Sequence, residues 1–396
     1  MAANSTTGVR SLSGVVQGEP RPGMVELGPG YLDAALLPVG LIGRWAAAAV
    51  AYWGGGALAY GANAGPLELR AHLAARVSGG EPDACGPANI VTTGGTSQAL
   101  GQLAARLSRD GRVVLTEALT YDLGRMIFAG RGVTTVAVPG PIDDLDIGQF
   151  QLHVQRAVRR TGKAPAFYLI PTFHNPTGRV ISAERRREIL ALAHDTGSMI
   201  IEDQAYAELS YDPAPAPKPL WRDAPDPDLV IGLYSCAKTI GPGLRIGWAV
   251  SGERLAAGLA ADPVRVSGGG PNHFTAMALT AGCATGEFDK HVRMVREQLR
   301  RRRDTLMTAL AGRLPDGFAI RRPTGGFFAW MDLPGHVGDE KLLAEAERRG
   351  VSFAAGSRFG DCARGVRICF AACGPERLSR GAALLSAACR SAAGRM

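Results

Sequence analysis

Apolar positions along the chain change their period several times, and each change marks an element. Pro66 suits the first position of a helix, and Leu67, Ala71, Ala74 and Val77 follow at helical spacing. Ile90 to Thr92 reads as a short strand and Ser97 to Leu107 as the helix after it. Arg112 to Leu115 and Val133 to Val138 are short apolar runs with β-branched residues. Four clearer strands come next: Phe167 to Ile170, Met199 to Ile201, Leu229 to Tyr234 and Arg245 to Val250. Between the first two, Ser182 opens a helix as N-cap, with Ile189, Leu190, Leu192 and Ala193 inside it. Near-continuous apolar strands separated by helices predict an α/β fold, a mostly parallel sheet covered on both faces.

After about Val264 the pattern changes. Asn272 to Cys283 and Phe288 to Leu310 read as long helices. A strand (Gly326 to Met331), a helix (Lys341 to Arg349), a strand (Val366 to Phe370) and a closing helix from Pro375 complete a smaller α+β unit. A chain of 396 residues is too long for one ordinary core, so two domains are expected. The expected division is a flexible Gly-, Pro- and Ser-rich arm (1–25), a segment packing with the small domain (26–55), a large domain (56–265) and a small one (266–396). No repeat and no low-complexity tail interrupts it.

Composition narrows the class. Hydrophobic residues make up 46% and charged residues 20%, a globular balance rather than a disordered one. The net charge is +8, but the arginines are scattered. The densest run, Arg300 to Arg303, falls in a predicted helix and is expected to be a solvated face, not a nucleic-acid patch. Seven cysteines include no CxxC pair, which argues against a zinc site or a disulfide framework and for a reducing cytoplasm. Met1 to Arg10 has no apolar stretch of a secretory signal. Trp45 to Ala59 is too short and too glycine-rich to span a bilayer. Metal, nucleic acid and membrane are therefore not expected.

The candidate chemistry sits where strands end. Tyr234-Ser235-Cys236-Ala237-Lys238 runs on to Pro242-Gly243-Leu244-Arg245, so a hydroxyl, an amine and a guanidinium can converge after one strand. Taken alone, this is a lysine in a glycine loop. Pro171-Thr172-Phe173-His174-Asn175-Pro176-Thr177-Gly178 follows another strand and would pass for an Asn-Pro turn. Asp203 and Tyr206 end the strand between, where a lone Asp is usually a cap. Upstream, Thr93-Gly94-Gly95-Thr96-Ser97 is a glycine turn feeding a helix. Glu117-Ala118-Leu119-Thr120-Tyr121 follows a further strand, and Arg367 lies inside the apolar strand Val366 to Phe370. Order and spacing join them, because the C-terminal edge of a parallel sheet is where such folds bind ligands.

In this order the segments resemble the fold-type I pyridoxal-phosphate aminotransferases of class I/II, nearest the branch of 2-aminoadipate and kynurenine aminotransferases. The resemblance covers Leu27 to the C-terminus. It implies pyridoxal 5′-phosphate as cofactor, bound by the large domain and held by Lys238 as a Schiff base, and an enzyme moving an amino group from an amino acid to a 2-oxo acid. By the same resemblance Asp203 pairs with the ring nitrogen, and Asn175 and Tyr206 face O3′. Tyr121 stacks on the ring, and Thr96, Ser97, Ser235 and Arg245 hold the phosphate. Tyr60 reaches the phosphate of the partner site in a homodimer. Lys238, Asp203 and Tyr121 are the implied catalytic residues; Arg367, Asn175, Gly30 and Tyr31 face the substrate. Leu119 and Leu32 stand where the family usually has proline, and Ala237 where that branch often has a second serine. Tyr31, His174 and the Ala/Gly-rich segment before Tyr60 are expected to shape the donor's side-chain pocket. The freed Lys238 amine is the implied base at Cα, and ping-pong kinetics follow.

Two rival readings remain at this point. One is a same-fold enzyme with another outcome: elimination, decarboxylation, oxidative deamination or carbon–carbon bond formation. The other is a regulator that keeps such a domain as a ligand sensor behind a DNA-binding helix-turn-helix. About 25 residues precede the matched region, too few for that extra domain.

Overall fold

The computed structural model describes residues 21–81, 84–211, 217–360 and 364–394; the predicted arm lies outside them as far as residue 20. After β1 (Val25–Glu26) and helix α1 (Val39–Trp53), α2 (Leu67–Ser78) leads into the main sheet. Its strands are β2 (Ile90–Thr93), β3 (Val114–Glu117), β4 (Thr135–Val138), β5 (Ala166–Leu169), β6 (Met199–Asp203), β7 (Val230–Ser235) and β8 (Gly247–Val250). Helices α3 (Thr96–Arg109), α4 (Asp122–Ala129), α5 (Ile147–Thr161) and α6 (Ala183–Thr196) alternate with them, and α7 (Glu253–Ala260) and α8 (Pro263–Gly268) follow.

The strand order is β2-β8-β7-β6-β5-β3-β4. Strand β8 runs antiparallel to both neighbours, and the other pairs are parallel. Alternate residues go to opposite faces. Val114, Tyr168, Ile201 and Ile231 join one hydrophobic cluster with α3, and Leu115, Phe167, Ile200 and Val230 join another. Covering both faces is why these strands read as unbroken apolar runs.

Beyond α8 come α9 (His273–Ala284) and α10 (Glu287–Leu310), then β9 (Ala319–Ile320), β10 (Phe328–Asp332), α11 (Asp339–Arg348), β11 (Val351–Ser352), β12 (Ala354–Ala355), β13 (Gly365–Cys369) and α12 (Pro375–Ala393). The second sheet has the order β12-β13-β10-β9 and is antiparallel. Its core takes in Val25, Leu27, Leu32 and Leu36, and β1 pairs parallel with β11. This brings the segment of Gly28 to Tyr31 over the C-terminal edge of the main sheet.

Two local expectations change. The buried stripe of α2 is Leu69, Leu73 and Ala74, while Leu67 is 59% exposed, because tertiary packing on α9 sets the phase. The run from Arg300 is only half solvated. Arg302 and Arg303 are buried, Arg302 bridging Ala371 O and Asp33 Oδ2 at 2.8 Å each, and Arg303 donating to Pro323 O at 2.9 Å. The stretch around Trp45 is helix α1, seated on α9 where Gly282 has no Cβ to meet the Trp45 ring. No described helix is long and apolar enough to cross a membrane.

Candidate active site

Lys238 leaves the end of β7 on a 3-10 turn (Cys236–Lys238) and points back across the sheet edge. It is part-buried, and its Nζ donates to Gly30 O at 2.6 Å. The amine lies 5.5 Å from the Tyr206 ring centroid and 5.8 Å from that of Phe327. Among the described residues no carboxylate pairs with it. Burial pushes its pKa down to about 8, opposed chiefly by Cys369 and helped by Arg367.

Asp203 ends β6 and is buried. Its Oδ2 accepts from Tyr168 Oη at 2.8 Å and its Oδ1 from Ala205 N at 3.1 Å. Both donors are neutral, and no cation among the described residues lies within ion-pair distance. Burial raises the carboxyl pKa, and the two hydrogen bonds pull it back.

Every residue expected on the cofactor except Tyr60 lines one cleft with these two. At one end α3 begins after Gly95, whose φ of +91° suits glycine. The first helical N–H groups, at Thr96 and Ser97, have no carbonyl a turn earlier to bond. A Cβ on Gly95 would come within 3.2 Å of Arg245 Nη2, so glycine lets the guanidinium approach. Arg245 does not open β8, as expected from its sequence. It sits before it at φ +47°, its carbonyl capped by Asn272 Nδ2 and its Nη2 on Gly94 O at 2.9 Å. Ser235 Oγ accepts from Ala237 N at 3.1 Å and keeps its own proton to donate. A helix start, a hydroxyl and a guanidinium together make an anion site.

At the other end Arg367 lies in the interior of its sheet, 1% exposed. Its Nη1 donates to Asn175 Oδ1 and its Nη2 to Gly28 O, both at 2.7 Å. The guanidinium carbon sits 4.2 Å from the Phe328 ring centroid and 4.7 Å from that of Phe359. Nε has no partner, and no carboxylate of the described residues pairs with the group. A buried cation without a counter-ion is costly, so a carboxylate brought by a ligand would relieve it. Gly30 leaves this end open: a Cβ there would stand 3.0 Å from Phe328 Cζ. Tyr31 is half-buried beside it.

Some placements differ from the expectation. His174 is buried and does not line the cleft; its Nδ1 meets Thr177 Oγ1 at 2.8 Å and its Nε2 lies 3.2 Å from Glu117 Oε2. Burial pushes it down to about 3, so it stays neutral. Tyr60 is 88% exposed and borders an open concavity of about 950 Å³ whose wall includes Ser97. The sequence reading missed the supports behind the cleft. Arg186 holds the Asn175 loop through Pro171 O at 2.7 Å and Thr172 Oγ1 at 2.9 Å, and Glu117 holds it through Ile170 N at 3.1 Å and through Arg179.

The donor set suits pyridoxal 5′-phosphate. An amine with no acid partner and a buried carboxylate with no cation among the described residues lie along one cleft with an anion-binding helix start. The sequence model of "Aminotransferase class I and II" matches residues 31–385. Aromatic-amino-acid aminotransferase 1 of Thermococcus litoralis is 28% identical over 85% of this chain and 80% of that protein. An uncharacterized HTH-type transcriptional regulator of Bacillus subtilis is 30% identical over 86% of this chain and 68% of that protein. The crystal structure of Pyrococcus horikoshii kynurenine aminotransferase in complex with PMP superposes with a TM-score of 0.84 at 25% identity, over 93% of this chain and 91% of that one.

Proposed function

The chain belongs to the aminotransferase class I and II family, and from that membership we propose that Lys238 holds pyridoxal 5′-phosphate in the cleft while Arg367 takes the carboxylate of the donor amino acid. The protein is a pyridoxal-phosphate enzyme that transfers an amino group. The bound cofactor supplies an aldehyde that accepts an amine and a ring that draws electrons from the substrate's Cα–H bond.

The chain's own residues do the rest. Asp203 keeps the proton on the ring nitrogen. Asn175 and Tyr206 donate to O3′, and Tyr121 lies against the ring face. Thr96, Ser97, Ser235 and Arg245 hold the phosphate. Arg367 offers its free N–H groups to the α-carboxylate, with Asn175 and Gly28 fixing its plane, and Gly30 and Tyr31 border the substrate beside it. Displaced by the incoming amino acid, the Lys238 amine, held down to about 8 by burial, is neutral in about half of the molecules near pH 8 and can move the proton from Cα to C4′. One water molecule then supplies the carbonyl oxygen of a departing 2-oxo acid, the amino group stays behind, a second 2-oxo acid enters, and the same residues run in reverse with loss of that water, giving ping-pong kinetics.

The working unit we propose is a homodimer. Tyr52, Leu58, Tyr60 and Val264 are each more than 70% exposed, an apolar surface that a second copy would cover. Ser97 borders both the cleft and the Tyr60 concavity, so the phosphate end is the end a partner's Tyr60 can reach. The described cysteines are free and mostly buried, in keeping with a cytoplasmic enzyme.

The observation that carries this reading is that Lys238 and Asp203 line one cleft with Asn175, to which Arg367 is bonded, and that none of the three charged groups has an ionic partner among the described residues. The test is a half-reaction. The loaded enzyme mixed with an amino acid alone should release one 2-oxo acid per chain and turn its visible band to that of the amine form, and added 2-oxo acid should restore it. Release of ammonia or carbon dioxide in place of that exchange would contradict amino transfer.

A further inference from the structure

Tyr168 sits mid-strand in β5, in the run Ala-Phe-Tyr-Leu, where it reads as core. It is fully buried, with its ring edge-on to Phe128 at a centroid distance of 5.5 Å. A buried phenol needs a partner for its hydroxyl. Strands β5 and β6 are parallel neighbours with Tyr168 opposite Ile201, so Tyr168 shares a face with Asp203, two residues further on. Its Oη donates to Asp203 Oδ2 at 2.8 Å.

Helix α4 closes over this contact. A Cβ on Gly124 would stand 3.2 Å from Tyr168 Oη and 3.2 Å from Tyr121 Cδ1. Glycine is unfavourable inside a helix, and here it lets one turn press on both tyrosines. One faces the cleft, and the other stands behind the carboxylate. Phe128 and Gly124 leave the Tyr168 ring no room to swing its hydroxyl elsewhere.

We propose that Tyr168 is a positioning residue of the amino-transfer site: its hydroxyl, bonded to Asp203 Oδ2, fixes the plane of that carboxylate and keeps it ionised, so that the proton stays on the cofactor's ring nitrogen. This rests on the reading of Asp203 as the partner of that nitrogen. Asp203 needs such help, because burial favours its protonated form, and the Tyr168 hydrogen bond is the largest influence opposing that. The phenol cannot compete for the negative charge, since burial holds its own pKa well above the ordinary value. It remains a donor at every working pH.

Tyr168→Phe removes one oxygen and keeps the ring's shape. Dissociation constants of pyridoxal phosphate and of its 1-deaza analogue, which has C–H in place of the ring nitrogen, are measured by spectroscopic titration of both proteins. The wild type should prefer the nitrogen-bearing form. Tyr168→Phe should lower that preference about tenfold, the worth of a hydrogen bond to a charged group, with kcat falling by a similar factor and the donor KM moving less than twofold. A merely structural tyrosine would weaken both cofactors equally. An unchanged preference in Tyr168→Phe would overturn the proposal while leaving Asp203 in place. Equal binding of the two cofactors by the wild type would remove the role of Asp203, and the proposal with it.

Discussion

Lys238 and Arg367 are cations held where water is scarce, with no carboxylate partner among the described residues, and that isolation suits both to a ligand's charges. The lysine is the simpler case. Cys369, Arg367, Asp203 and Arg245 surround its amine, and burial sets the balance at about 8. A base must be neutral to take a proton, so kcat at saturating donor should rise with pH, reach half its plateau near pH 8 and stay level above. A rate that falls through this range would contradict Lys238 as the base. Arg367 presents a planar fork between two phenyl rings. Arg367→Lys keeps the charge and loses the fork, so kcat/KM for the donor should drop about a hundredfold, mostly through KM. Lys238, Asp203, Asn175 and Arg367 are legible in the sequence because each sits in a motif of fixed order. Tyr168, Arg186 and Glu117 are not, because the bonds that matter at these positions are to residues distant in sequence.

Among the elements, the central strands of the main sheet are legible because burial on both faces makes them apolar runs, with their polar residues, Glu202, Asp203 and Ser235, gathered at the C-terminal ends. Helix α1 escapes the pattern, since its apolar residues are spread round the axis and only Trp45 and Ala49 are buried. Its exposed Tyr52 belongs to the surface proposed for a second copy. The turn into α3 shows how an element makes a site. Gly95 supplies a positive φ and an approach for Arg245 that no side chain permits. Gly95→Ala should cost about 1–2 kcal/mol in denaturant unfolding, and should weaken cofactor binding beyond that loss by displacing Arg245. Unchanged cofactor affinity in a destabilised Gly95→Ala protein would separate the turn from the phosphate.

At the scale of the molecule, the sequence announces two kinds of architecture but not how they meet. Leu27 and Leu32 from the N-terminal segment pack in the C-terminal core and so carry Gly30 over Lys238, a consequence of tertiary packing that periodicity cannot express. The proposed dimer has a clean test. Mixing Lys238→Ala chains with Tyr60→Ala chains builds a hybrid in which one site has its own lysine and an intact partner tyrosine. Its activity should exceed the mean of the two parents, whereas a monomer or a dimer without shared sites would give that mean. The attachment of the cofactor is tested most directly by borohydride reduction of the loaded protein, digestion and peptide mass analysis. The account predicts one reduced cofactor per chain, on the peptide containing Lys238, and none in Lys238→Ala. Label on another lysine, or undiminished labelling of Lys238→Ala, would contradict it.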